Sequence, residues 1–133
     1  MNWSVMIESL PALAEGALLT LELVAVSGVL GFMLAVPVAM ARVSDRWWVQ
    51  LMPMAHIYFF RGTPLLVQIY LVYYGTGQFE AIRSSILWPY LSQAYWCAII
   101  AFTLNTSAYT AEILRGAIQT VPRGEIEAAR AVG

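Results

Sequence analysis

Long apolar runs alternate along this chain with short clusters of arginine, proline and glycine, and three of the runs predict helices of membrane length. Residues 23–41, LVAVSGVLGFMLAVPVAMA, carry no charge. They are about long enough to cross a bilayer, which takes roughly 20 apolar residues. Gly28 and Gly31 allow a neighbouring helix to come close, and Pro37 is placed to kink the second half. Upstream, Trp3, Met6, Ile7 and Leu10 recur at helical spacing and predict a short interfacial helix. Residues 48–79 are apolar enough to span, but Pro53 and the RGTP stretch at 61–64 interrupt them. Thr63 before Pro64 reads as an N-cap with proline at the first helical position. A single crossing broken near Gly62 is expected there. Phe79, Ile82, Ile86, Leu87 and Tyr90 then suggest a partly ordered surface loop. A third uncharged run, residues 93–111, continues through EILRGAI to a stop at Pro122. The expected spans are about 16–41, 48–79 and 93–117. A loop over 118–133 follows, in which Pro122 and Gly124 break the incoming helix and Glu125 to Val132 starts a new one.

Composition sharpens this picture. Of 133 residues, 60% are hydrophobic and only 11% charged, against roughly 25% charged in a soluble domain. Most of the chain therefore has no water to face, and an all-α membrane protein is the expected class. The net charge of −1 gives no reason to expect nucleic acid as a partner. One cysteine, Cys97, allows no intrachain disulfide. Every basic residue is arginine, so the lysine of a phosphate-binding loop is missing. If ATP is used, another chain must bind it. No nucleophile–base pair and no zinc-ligand spacing occurs, and His56 alone is no metal site, so an enzyme is not expected. The N-terminus lacks the basic region of a secretory signal, and its first span is expected to be retained. Arginine placement orients the chain. With the N-terminus outside, Arg42, Arg46, Arg115, Arg123 and Arg130 fall on the cytoplasmic side and Arg83 outside, as positive-inside topology requires.

Polar residues within the apolar runs are the candidate chemistry, because such groups face a bundle interior or a wet cavity. Asn105, Tyr109, Glu112 and Gly116 share one helical face; Thr103, Ser107 and Thr110 share nearly the opposite one. Asn105 and Tyr109 are placed to hold the polar backbone of an amino acid, or to hydrogen-bond between helices. Glu112 is placed to attract a cation, or to pair with Arg115 one turn on. Arg61, Gly62 and Thr63 open a helix whose free N–H groups suit a carboxylate; the alternative is a structural kink with Arg61 paired to a partner chain. In the last stretch, GEIEAARAVG, Glu125 and Glu127 lie near the positive end of a short helix. Ile126, Ala129 and Val132 line one side. The helix is either an ordinary amphipathic surface helix or one that slots into a partner's groove.

The end of the chain, EAARAVG (Glu127, Ala128, Ala129, then Gly133), resembles the first half of the cytoplasmic coupling motif of permeases of binding-protein-dependent ABC importers. Upstream, FRGTPLLVQIYLVYYG and LNTSAYTAEILRGAIQTVPRGEIEAARAVG resemble the polar amino-acid subfamily of these permeases. Within it they look most like the branch importing basic amino acids or opines such as arginine, ornithine, histidine or octopine. The resemblance covers nearly the whole chain. It implies the N-terminal part of a five- to six-helix permease core in the bacterial cytoplasmic (inner) membrane, multi-pass and in contact with lipid. It implies a separate ATPase subunit that binds ATP and Mg, a second permease subunit and an external amino-acid-binding protein. It gives Gly124, Glu127, Ala128, Ala129 and Gly133 a role in coupling to the ATPase. Members of the family continue past this glycine with about two further spans, so the chain reads as C-terminally truncated. The alternative expectation is a remnant that binds a partner as a membrane scaffold and moves no substrate.

Overall fold

The computed structural model describes residues 3–133, with side chains from Glu8 onward except that of Arg123. Helix α1 runs from Trp3 to Arg42, α2 from Trp47 to Gly62 and α3 from Leu65 to Tyr70. A π-helical stretch, Leu71–Gly75, prolongs α3. Two single-turn helices follow, α4 (Glu80–Arg83) and α5 (Trp88–Leu91), then the long α6 (Ala94–Thr120) and the terminal α7 (Arg123–Val132). Among the described residues every regular element is helical.

The first helix departs from expectation. Instead of a short interfacial helix ahead of a separate span, α1 is one helix of 40 residues, with Pro11 and Pro37 inside it, about 60 Å long. Residues 12–22 are mostly Ala, Leu and Glu, which favour helix over any break, and Pro11 removes only one backbone donor. The side chains of Trp3, Met6 and Ile7, on the expected interfacial face, lie outside those described. Hydroxyls inside the apolar stretch turn back onto their own helix: Thr20 donates to the Gly16 carbonyl at 2.8 Å and Ser27 to that of Leu23 at 2.5 Å. In an apolar medium this satisfies a group that has no water to bond.

Helices α1 and α6 form the main seam, and their contacts rise together along both. Tyr95 donates to Glu22 at 2.6 Å. Gly31 lies so close to α6 that an added Cβ would sit 2.8 Å from the Thr106 Cβ. Ala35 and Ala39 share a buried cluster with Ala108, Ala111 and the α2 residue Ile57. Finally Arg42 reaches Glu112. The two helices therefore run in the same direction. Small residues let them approach, the usual basis of helix packing where no hydrophobic drive separates helix from lipid. A Cβ added at Gly28 would meet nothing within 4 Å, so only one of the two expected glycine contacts forms.

Among the described residues, two helices are long and apolar enough to cross a membrane, Glu8–Arg42 and Ala94–Thr120. The stretch between them is shorter and broken. Its break falls at Gly62–Pro64, as expected, but the capping differs. Thr63 is the C-cap of α2, with its N–H and hydroxyl both donating to Phe59, and Pro64 is the N-cap of α3. At the α1–α2 turn, Arg42 donates to Gln50 at 3.1 Å and the Gln50 amide donates to the Ser44 carbonyl.

Candidate functional site

Two polar clusters form where the broken segment meets α6. The first repairs the break. Pro64 has no N–H, so the Phe60 carbonyl loses the donor that a continuous helix would supply. The side-chain amide of Gln68 replaces it, lying 2.8 Å from the Phe60 carbonyl, 3.0 Å from that of Thr63 and 2.9 Å from the Thr63 hydroxyl. Asn105 on α6 donates to the same Phe60 carbonyl at 3.3 Å and to Gln68 Oε1 at 3.0 Å. Gln68 is 1% exposed. Burial of a primary amide is tolerated because its donors and its acceptor are all engaged. Nearby, the Ser107 hydroxyl donates to the Leu104 carbonyl, so the His56 Nε2–H donates to Ser107 at 2.9 Å and ties α2 to α6.

The second cluster lies two turns further along α6. Glu112 is held bidentately by Arg115, with Nε 3.0 and 3.1 Å from its two oxygens and Nη2 at 2.9 Å. Arg42 and Arg61 approach the same carboxylate only to 3.9 and 3.8 Å. The Arg61 guanidinium sits 5.3 Å above the ring of Tyr109, an arrangement that holds a cation over the ring's negative face. Arg42, Arg61, Tyr109 and Glu112, with Gly62 and Tyr58, line a cavity of about 430 Å³ whose apolar wall is Met54 and Ile57.

The residues singled out from the sequence thus divide. Arg61, Gly62, Tyr109 and Glu112 meet at one cavity. Asn105 and Thr63 belong to the hydrogen-bonded repair behind it. The α3 helix that Thr63 was expected to open has only six residues. Gln68 and Arg42 were not among the candidates. Gln68 has a legible signal, since it sits one helical turn beyond Pro64, within reach of what the proline leaves unbonded. Arg42 has none, because its partner is distant in the chain. Among the described residues no group of three or more His, Cys, Asp or Glu side chains could hold a metal ion.

The terminal stretch forms a helix that begins earlier than expected. Gly124 lies inside the first turn of α7, with Pro122 as N-cap; Glu125 is in that first turn and its N–H bonds to the Pro122 carbonyl at 3.0 Å. Glu127, Ala128 and Ala129 are all exposed. Gly133 has φ +112°, the one positive φ among the described residues, a conformation that glycine adopts without strain.

Two same-direction apolar helices of membrane-spanning length, a broken segment between them and an exposed charged helix after them define an all-helical protein built to sit in a bilayer. The chain belongs to the family described as binding-protein-dependent transport system inner membrane component, which matches residues 27–133. It is 53% identical over 126 residues to the octopine transport system permease protein OccM of Rhizobium meliloti, covering 95% of this chain and 51% of that protein. It is 46% identical to the nopaline transport system permease protein NocM of Agrobacterium fabrum, covering 100% of this chain and 56% of that one. It is 44% identical to the histidine/lysine/arginine/ornithine transport system permease protein HisM of Escherichia coli, covering 89% and 50%. The fold is similar to that in a crystal structure of an amino acid ABC transporter with histidines. The TM-score is 0.82 and the identity 32%, with 100% of this chain and 58% of that one covered. The chain spans about half the length of the curated relatives it matches.

Proposed function

We propose that this chain supplies part of the membrane pathway of an ATP-driven importer for polar amino acids, of the basic or opine kind transported by its relatives. The observation that carries this reading is the shared direction of α1 and α6. Two helices that both cross a bilayer the same way need a return crossing between them. Residues 47–75 supply it as α2, the Gly62–Pro64 break and α3 with its π-helical extension. Non-helical backbone at membrane depth is tolerated where it is buried in protein or lines a cavity, and Gly62 at this break lines one. The chain then crosses three times, with its N-terminus outside and both the α1–α2 turn and α7 in the cytoplasm of a bacterial inner membrane. Arginine placement supports that orientation.

In this reading the cavity of Arg61, Gly62, Tyr109 and Glu112 lies on the substrate's path, and the Asn105–Thr63 cluster sets its shape. Helix α7 offers Glu127, Ala128 and Ala129 to a separate ATPase subunit, which binds ATP and Mg, and Gly124 and Gly133 bound the docking loop. A second permease subunit and an external binding protein complete the importer. Single-cysteine labelling tests the topology, with residue 44 expected to react only from the cytoplasm and residue 84 only from outside. Co-purification of the ATPase tests the docking. Labelling of residue 84 from the cytoplasm alone would reverse the topology, and full ATPase recovery with Glu127→Lys would remove α7 from the contact.

A further inference from the structure

We infer that the cavity beside Arg61 receives the carboxylate of the transported amino acid rather than its cationic group; this rests on the pathway reading above. An acidic residue in the path of a basic substrate invites the opposite assignment, but Glu112 is already matched by arginines of its own chain. Both its oxygens are already engaged by Arg115 at 2.9 to 3.1 Å. Three guanidiniums surround this one carboxylate, leaving a surplus of positive charge. The last-turn carbonyls of α1 and α2 offset part of that surplus, as helix C-termini do.

Arg61 is the guanidinium best placed to meet an incoming anion. Its contact with Glu112 is a loose 3.8 Å and its side chain is 45% exposed. Tyr109 holds it from one face at 5.3 Å, which leaves the planar edge, where its N–H donors lie, open to the cavity. That edge matches the two oxygens of a carboxylate. Arg42 is less available, because it also donates to Gln50. The orientation of Arg61 is fixed from behind: the carbonyl of the preceding residue, Phe60, is held by Gln68 and Asn105. A substrate would enter carboxylate first, with its cationic end directed away from the three arginines.

The test uses the chain in lipid nanodiscs without any binding protein, with radiolabelled L-arginine as probe. The competitors are agmatine, which lacks the carboxylate, and Nα-acetyl-L-arginine, which keeps it and lacks the α-ammonium group. Acetyl-arginine should compete about as well as L-arginine, and agmatine roughly tenfold or more weakly, the loss expected for a charge-assisted contact. Arg61→Gln should abolish this difference between competitors, and Arg61→Lys should retain part of it. Equal competition by agmatine in the native chain would overturn the inference, as would a difference that persists in Arg61→Gln. Should none of the three bind the native chain, the pathway reading itself fails and this inference with it.

Discussion

The two polar clusters on α6 lie two turns apart and use their polar atoms in opposite ways. Around Gln68 the set is closed: a proline frees a carbonyl, two amides bind it, and each amide also binds the other or Thr63. Around Glu112 the set is open: one carboxylate is satisfied by one arginine, and two further arginines stand just outside hydrogen-bonding range. In an apolar protein the first arrangement stabilises a shape, whereas the second keeps charge in reserve. Position in the fold explains the difference. Gln68 is buried on all sides, so an unpaired polar atom there would cost its full desolvation. Glu112, Arg42 and Arg61 border a cavity, where unused donors meet water or ligand.

The largest effect should come from the closed cluster. Gln68→Leu leaves the Thr63 carbonyl without its side-chain donor, leaves the Phe60 carbonyl only the longer contact from Asn105 and removes one acceptor from the Asn105 amide, and should cost about 2–3 kcal/mol. Thermal or denaturant unfolding in a fixed detergent measures it; no measurable loss would mean that the break is held by backbone packing alone. Next comes the seam beneath both clusters. Gly31→Val pushes a side chain against Thr106 and the Thr103 carbonyl. It should cost about 1–3 kcal/mol, as overpacking does, whereas Gly28→Ala should be tolerated because nothing lies within 4 Å. Equal stability of both variants would deny that α1 and α6 are in close contact at Gly31.

Asn105→Leu should lose less than Gln68→Leu, about 1 kcal/mol, because the Phe60 carbonyl keeps its Gln68 donor and bonds between helices in membranes are modest. A cost equal to that of Gln68→Leu would merge the two residues into one unit. The smallest change belongs to the open cluster. Glu112→Gln should shift stability by less than about 1 kcal/mol, since partly exposed ion pairs contribute little. Its effect should emerge in the balance between competing ligands instead. A stability loss above that of Asn105→Leu would show that the charges also hold the fold.

Much of this is readable from the chain. The uncharged runs locate α1 and α6, Pro122 marks the end of α6, and RGTP marks the break, because proline and glycine act through local backbone geometry. The Glu112–Arg115 pair is readable for the same reason, being one turn apart. What stays hidden depends on distance. Nothing near Arg42 points to Glu112, and Ser107 gives no sign of His56, since these pairs form only when helices cross. The full length of α1 is hidden for another reason. The spacing of Trp3, Met6, Ile7 and Leu10 suggests a separate short helix, yet a helix continues through Glu8, Glu15 and Glu22 when nothing breaks its backbone.

The shared direction of α1 and α6 also sets a timetable. Tyr95 follows Glu22 by 73 residues, so at about 5–20 residues per second the ribosome needs roughly 4–15 s to deliver the partner that α1 requires. During that interval the Gly31 notch and the alanine face lack the partner they meet in the finished fold. The antiparallel α2, emerging first, can cover only part of them. The first helix made is therefore among the last to find its main neighbour, and a chain arrested before α6 leaves it without the contact that fixes its position.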